Sequence, residues 1–169
     1  MSKSLKVSIG HHSSAGKKDI NQDFHGQVVQ DDNLLSSKGI SLAIADGISS
    51  SNVSQIASQT AVSSFLADYY STSETWSVKH AGQRVLQATN SWLFSQSRNS
   101  PNRFDKDKGY VCTFSGLILK STTAHLFHIG DARIYRLVGN KLEQLTEDHR
   151  HIVSADISYV TRALGVKQQ

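Results

Sequence analysis

The chain has 169 residues, a length that suits one domain. Hydrophobic residues make up 38% and charged residues 19%, which excludes a disordered chain and leaves enough apolar side chains for an ordinary core. The net charge of +4 comes from scattered Lys and Arg rather than a dense basic run, so nucleic acid is not an expected partner; no apolar run approaches the ~18 residues of a membrane helix, so no membrane contact is expected of this segment.

Leu5 to His11 reads as a first strand, with Leu5, Val7 and Ile9 on one face. A loop through Ser13, Gly16 and Lys18 follows, and Phe24 to Gln30 is a second strand. Asp31-Asp32-Asn33 and Ser36 to Gly39 punctuate the gap before a short apolar strand, Ile40 to Ala45, which ends at Asp46-Gly47. A helix is expected from about Asn52 to Tyr70. Val53, Ala57, Ala61, Phe65 and Tyr69 recur every four residues, flanked by Ile56, Val62 and Leu66, with Ser49, Ser50 and Ser51 as candidate N-caps. A second helix is expected from about Val78 to Arg98, with Val78, Ala81, Val85, Ala88 and Trp92 as its stripe and Thr75 or Ser77 as its cap. Pro101 marks its end, and Arg103 to Gly109 is a charged surface loop. The pattern then turns to β: Tyr110 to Lys120, Ala124 to Ile129, Arg133 to Val138 and Lys141 to Gln144, the last two joined by a Gly139-Asn140 hairpin turn. Cys112, the single cysteine, reads as a small buried hydrophobe on a strand. It has no disulfide partner, and there is no apolar leader, so a reducing cytoplasmic location is expected. The order β-rich, two helices, β-rich favours α+β over a strictly alternating parallel fold.

Three aspartates stand at strand ends or in the turns beside them: Asp23, Asp46 and Asp131. A carboxylate at the mouth of an apolar strand is costly unless solvated, hydrogen-bonded or bound to a cation. Gathered carboxylates repel one another, and a hard divalent cation relieves that repulsion. Each aspartate taken singly also suits a turn, since Asp-Gly is a common turn pair.

Six short motifs occur in order: Asn21-Gln22-Asp23, Ala45-Asp46-Gly47, Thr113 to Gly116, Gly130 to Tyr135, Leu145 to His149, and Thr161 to Gly165. Together, with a helix pair between the second and third, they resemble the motif series of the PPM family, the type 2C protein serine/threonine phosphatases, and most closely its bacterial members. The resemblance runs from about Val7 to Gly165. It implies an α+β fold, a four-layer αββα sandwich of two mainly antiparallel sheets flanked by helices. It also implies hydrolysis of phosphoserine and phosphothreonine in proteins by a water that two metals activate, with no protein nucleophile. The implied cofactors are Mn2+ or Mg2+, two or three ions per complete site. By the resemblance Asp46 bridges two metals, the Gly47 carbonyl binds one of them, Asp23 holds a metal through water, and Asp131 belongs to a third, weaker site. Lys18 stands where most members have the arginine that meets substrate phosphate. The implied partners are a phosphoprotein substrate and a protein kinase, as a joined domain or a separate chain.

The chain also departs from the pattern. Lys18 lacks the guanidinium fork, Gln22 stands where a glutamate is frequent, and Ser49-Ser50 replace a glycine pair. Two further family aspartates fall beyond Gly165, so residues 1–169 are expected to form a single phosphatase domain that is incomplete at its C-terminal side. The alternative reading is therefore a catalytically incomplete phosphatase-like module that binds a phosphoprotein or a kinase. Zinc is not expected, because His125 and His128 fall on opposite faces of a strand and no cysteine pair is available. Gly10 to Lys18 lacks the spacing of a nucleotide-phosphate loop.

Overall fold

A computed structural model of the chain describes residues 5–152 and 158–167. Its centre is an antiparallel sheet with the strand order β1-β2-β3-β4, formed by β1 (Asp23–Val28), β2 (Ile40–Asp46), β3 (Phe114–Lys120) and β4 (Thr123–Ile129). The alternation of each strand divides its residues between two faces. Phe24, Gly26 and Val28 of β1 share a face with Ala43 and Ala45 of β2, with Phe114, Gly116 and Ile118 of β3, and with Phe127 of β4. Helices α2 (Ser54–Ser71) and α3 (Val78–Asn99) lie across that face and bury it. Phe65 of α2 is fully buried at the middle of the core, edge-on to Phe114 at 5.0 Å and Phe127 at 5.6 Å between ring centroids. Such a side chain contributes about 2–3 kcal/mol by burial alone.

The α+β class with antiparallel sheets and helical cover is as expected. The described residues build one helix-on-sheet pair of layers of the four-layer sandwich. Two further antiparallel ribbons follow: β5 (Tyr135–Val138) with β6 (Lys141–Gln144), and β7 (Arg150–Ile152) with β8 (Ser158–Val160). On the sheet face away from the helices stand Leu42, Ile44, Leu117 and Leu126, of which Ile44 is 44% exposed.

Several local expectations need correction. Residues 5–15 have no regular structure, because no described strand pairs with Leu5–His11 and extended chain without a ladder partner is not a strand. The stretch after β1 holds a short helix, α1 (Asp32–Lys38), rather than turns alone. Its end is fixed by Gly39, whose positive φ of 81° lets its N–H reach the carbonyls of Leu34 and Leu35. Ser49, Ser50 and Ser51 do not cap α2. Val53 holds that position with no side-chain bond, while the Ser51 hydroxyl donates to the Gly109 carbonyl at 2.8 Å. On α3, Ser77 caps as expected, accepting from the His80 N–H at 3.2 Å. Its buried face runs through Thr89, Asn90 and Leu93 instead of Ala88 and Trp92, and Trp92 is 45% exposed. The polar Thr89 and Asn90 are satisfied inside, by the Val85 carbonyl and by Gly165 and Lys167 respectively, so their polarity does not keep them at the surface.

Candidate functional site

The register of the sheet brings four strand ends together. Asp23 opens β1 directly opposite Asp46, which closes β2. Asp46 is joined in turn to Thr113 at the entry to β3: its N–H donates to the Thr113 hydroxyl at 3.1 Å, and its carbonyl accepts from the Thr113 N–H at 2.8 Å. Phe114 pairs with Ile129, so the Gly130-Asp131 turn leaves β4 at this same end. Three of these ends present Asp23, Asp46 and Asp131 along one rim, and the fourth carries Thr113. The Lys18 loop lies beside them, its ammonium donating to the Ser49 hydroxyl at 3.3 Å.

The electrostatics agree with this grouping. Partial burial, a hydrogen bond with the Asp23 carboxyl and the charge of Asp23 push Asp46 up to about 6, and Asp131 adds to the rise. Lys18 acts in the opposite direction. Two facing carboxyls at one rim form a site short of positive charge.

Gly47 follows, packed so closely on Ser54 that a side chain has no room. A Cβ there would come within 2.7 Å of the Ser54 carbonyl oxygen. Its N–H donates to the Gln22 carbonyl at 3.1 Å, and among the described residues its own carbonyl accepts no hydrogen bond. Two carboxylates and an open carbonyl are hard oxygen donors, the type that suits Mg2+ or Mn2+. Among the described residues no group of three or more His, Cys, Asp or Glu side chains gathers closely enough to hold a metal by itself, so the donor type fits while the donor number is small.

Gln22 turns away from the carboxylates. Its side-chain amide donates to the Ser54 hydroxyl at 2.7 Å and to the carbonyls of Ser51 and Ile48 at 2.9 and 3.3 Å. A glutamate could not donate to those carbonyls, so the amide serves the loop after Gly47.

Asp131 is held by an ion pair with Arg150, N–O 2.9 Å, a partner the sequence did not single out. Behind it, His149 grips the turn from both sides: its N–H donates to the Gly130 carbonyl at 2.7 Å, and its Nδ1 accepts from the Gly130 N–H at 3.1 Å. Burial and the nearby His128 hold His149 below the ordinary histidine value, which suits that accepting nitrogen. His128 stacks on it at 5.2 Å and meets the Ser115 hydroxyl at 2.9 Å, on the opposite strand face from His125. Arg133, in the same turn, makes a forked pair with Asp148 and stays off the rim. Cys112 is fully buried in the bridge between Gly47 and Leu164, and burial pushes its thiol up to about 12.

The family model described as protein phosphatase 2C matches residues 11–164. No curated protein matches the sequence. Among solved structures the chain is similar to the serine/threonine phosphatase Stp1 from Staphylococcus aureus, with a TM-score of 0.74 at 15% identity, over 94% of this chain and 66% of that one. It is similar to PppA, a regulatory component of the T6SS in Pseudomonas aeruginosa, with a TM-score of 0.68 at 22% identity, over 94% and 66%. A third likeness is to the catalytic domain of the serine/threonine phosphatase PstP in complex with 2 manganese ions, with a TM-score of 0.55 at 22% identity, over 75% and 56%. At these identities the likeness is one of fold. The chain spans about two thirds of the length of the bacterial serine phosphatase structures, 65% of one and 68% of another.

Proposed function

The chain belongs to the protein phosphatase 2C family, and from that premise we propose that its aspartate rim is the cation-binding half of a site that hydrolyses phosphoserine and phosphothreonine in proteins. The observation that carries this reading is the pair Asp23–Asp46, which face each other in register, with Asp46 pushed up to about 6 first by burial and then by Asp23. Asp46, Asp23 and the open Gly47 carbonyl would hold Mn2+ or Mg2+, and Asp131 a further, weaker ion once Arg150 releases it. When bound, such cations supply the Lewis acidity that activates water and offsets charge on phosphoryl oxygens.

The chain's own residues do the remaining work. The backbone pairing of Asp46 with Thr113 fixes the height of its carboxylate against the sheet. The Gln22 amide holds the loop that carries Gly47 and Ser49. Lys18 is exposed, and among the described residues its ammonium donates only to the Ser49 hydroxyl, so it can swing toward a phosphate as a point charge. No described side chain is poised as a nucleophile: the Cys112 thiol is buried and protonated at neutral pH. We include in the proposal a protein kinase, joined or separate, that generates the substrate.

The test is hydrolysis of a phosphothreonine peptide across a manganese titration, by the chain and by Asp46→Asn, with manganese affinity measured by calorimetry on both. A sharp drop in manganese affinity in Asp46→Asn is expected, together with loss of whatever manganese-dependent release of phosphate the chain shows. Equal manganese affinity in the two proteins would remove Asp46 from the site.

A further inference from the structure

A cavity of about 490 Å3 lies between the C-terminal end of α3, the loop after it, and the segment around Gly165. That volume is in the range of pockets that take a small ligand or a large side chain. Its lining includes Phe94, Val111 and Val166, with Phe104 at its edge. Phe104 is 88% exposed.

The rim is cationic. Arg98, Arg103 and Lys106 border the cavity, and none of them lies within 4 Å of a carboxylate among the described residues. The one acid in the lining, Asp105, is engaged: it accepts from the Asp107 N–H at 3.0 Å and lies 3.9 Å from Lys108. The guanidinium of Arg98 sits over the Phe94 ring at 5.9 Å, and that of Arg103 over the Phe104 ring at 4.8 Å.

The arrangement discriminates between occupants. A lone phosphate needs several donors converging on one point, whereas these guanidinia are spread over two separate rings. Spread cations around an apolar hollow complement spread carboxylates around an apolar side chain. We propose that this cavity is a docking site for an acidic peptide segment of a partner protein, with an aromatic side chain in the hollow and flanking carboxylates on Arg98, Arg103 and Lys106. The inference stands on the cavity alone and needs neither metal nor phosphatase activity. The site adjoins the aspartate rim through backbone: the Val111 carbonyl in its wall accepts from the Ile48 N–H at 3.3 Å, and the Ser50 hydroxyl donates to the Asp107 carbonyl at 2.7 Å. A docked segment would therefore lie beside the loop that follows Gly47.

The test uses fluorescence anisotropy with a labelled short peptide whose central phenylalanine is flanked on each side by two glutamates. The peptide is expected to bind about tenfold more tightly than the same peptide with lysines for glutamates, and several-fold more tightly than one with alanine for phenylalanine. Arg98→Gln with Arg103→Gln should weaken it by about tenfold, as should raising salt until screening reaches about 3 Å. The replacements are neutral, so no carboxylate is placed at the end of α3, and an unchanged melting temperature confirms the fold. Phe104→Ala should lower affinity several-fold. Binding of the double variant within twofold of the parent overturns the proposal. So does a single-stranded oligothymidylate that binds more tightly than the peptide and loses affinity in that variant, which would make this a nucleic-acid patch.

Discussion

Asp46→Asn should raise the stability of the metal-free chain while removing its affinity for manganese. The Asp46 carboxyl has an ordinary value of 3.8 and is pushed up to about 6, first by burial and then by Asp23. At about 1.4 kcal/mol per pH unit, ionising it in the folded state costs roughly 3 kcal/mol. The side chain is partly exposed, and solvent screening reduces the net figure to about 1–1.5 kcal/mol. The sign follows from linkage: an acid whose folded value is raised favours the folded state while protonated, and that advantage is lost as pH rises from about 4 through about 6. An asparagine keeps the uncharged state at every pH. At pH 7.5 in EDTA the variant should therefore melt about 2–6 °C higher than the parent, given roughly 2–4 °C per kcal/mol for a chain of this size. At pH 4 the two should melt together. Thermal denaturation by circular dichroism at both pH values, with calorimetric manganese titration alongside, measures both halves. A variant that melts at or below the parent at pH 7.5, or whose gain is the same at both pH values, would show that the folded chain does not hold Asp46 above its ordinary value.

Three other substitutions and probes address neighbouring parts. Lys18→Ala should raise KM for a phosphothreonine peptide by about tenfold, the value of a charge-assisted hydrogen bond, while Lys18→Arg keeps or lowers it; an Ala variant with unchanged kcat/KM takes Lys18 out of the site. Gln22→Glu turns a donor into an acceptor against the Ile48 and Ser51 carbonyls and should cost about 2–3 kcal/mol, seen as a melting temperature lower by about 5–10 °C; a shift under about 2 °C would mean that this amide does not hold the loop. Cys112, pushed up to about 12 and fully buried, should react with a thiol reagent at pH 8 about a thousandfold more slowly in the native protein than after unfolding in denaturant, and fast native labelling would contradict its burial.

Period and punctuation made the main elements legible. The four-residue recurrence from Ala57 to Tyr69 marks the face of α2 that the sheet buries, and the Gly139-Asn140 pair marks the turn between β5 and β6. Legibility failed where tertiary context outweighs local chemistry. Thr89 and Asn90 look like solvent residues and are buried because partners far along the chain satisfy them. Leu5–His11 alternates like a strand, yet a strand exists only with a neighbour, which alternation does not encode. At the site, the three aspartates stand out because strand ends are poor places for isolated carboxylates. Gln22 and Arg150 could not be read: their roles depend on which way the side chain turns and on a pairing between segments that only the fold brings together.

Asn90 and Cys112 fasten the stretch around Leu164. The Asn90 side chain accepts from the Gly165 N–H at 2.8 Å and donates to the Lys167 carbonyl at 3.0 Å, while Cys112 and Leu164 exchange two backbone bonds at 3.4 and 2.9 Å. These contacts close loops of 52 to 77 residues. Their chain entropy is recovered only after α3 and β3 have met, so the segment should join late in folding. Releasing it breaks both bonds of the Asn90 side chain and the bridge to Cys112 together, which disfavours fraying. The amide hydrogens of Leu164 and Gly165 should therefore exchange with deuterium as slowly as those of the central strands, through whole-domain opening rather than through local loosening.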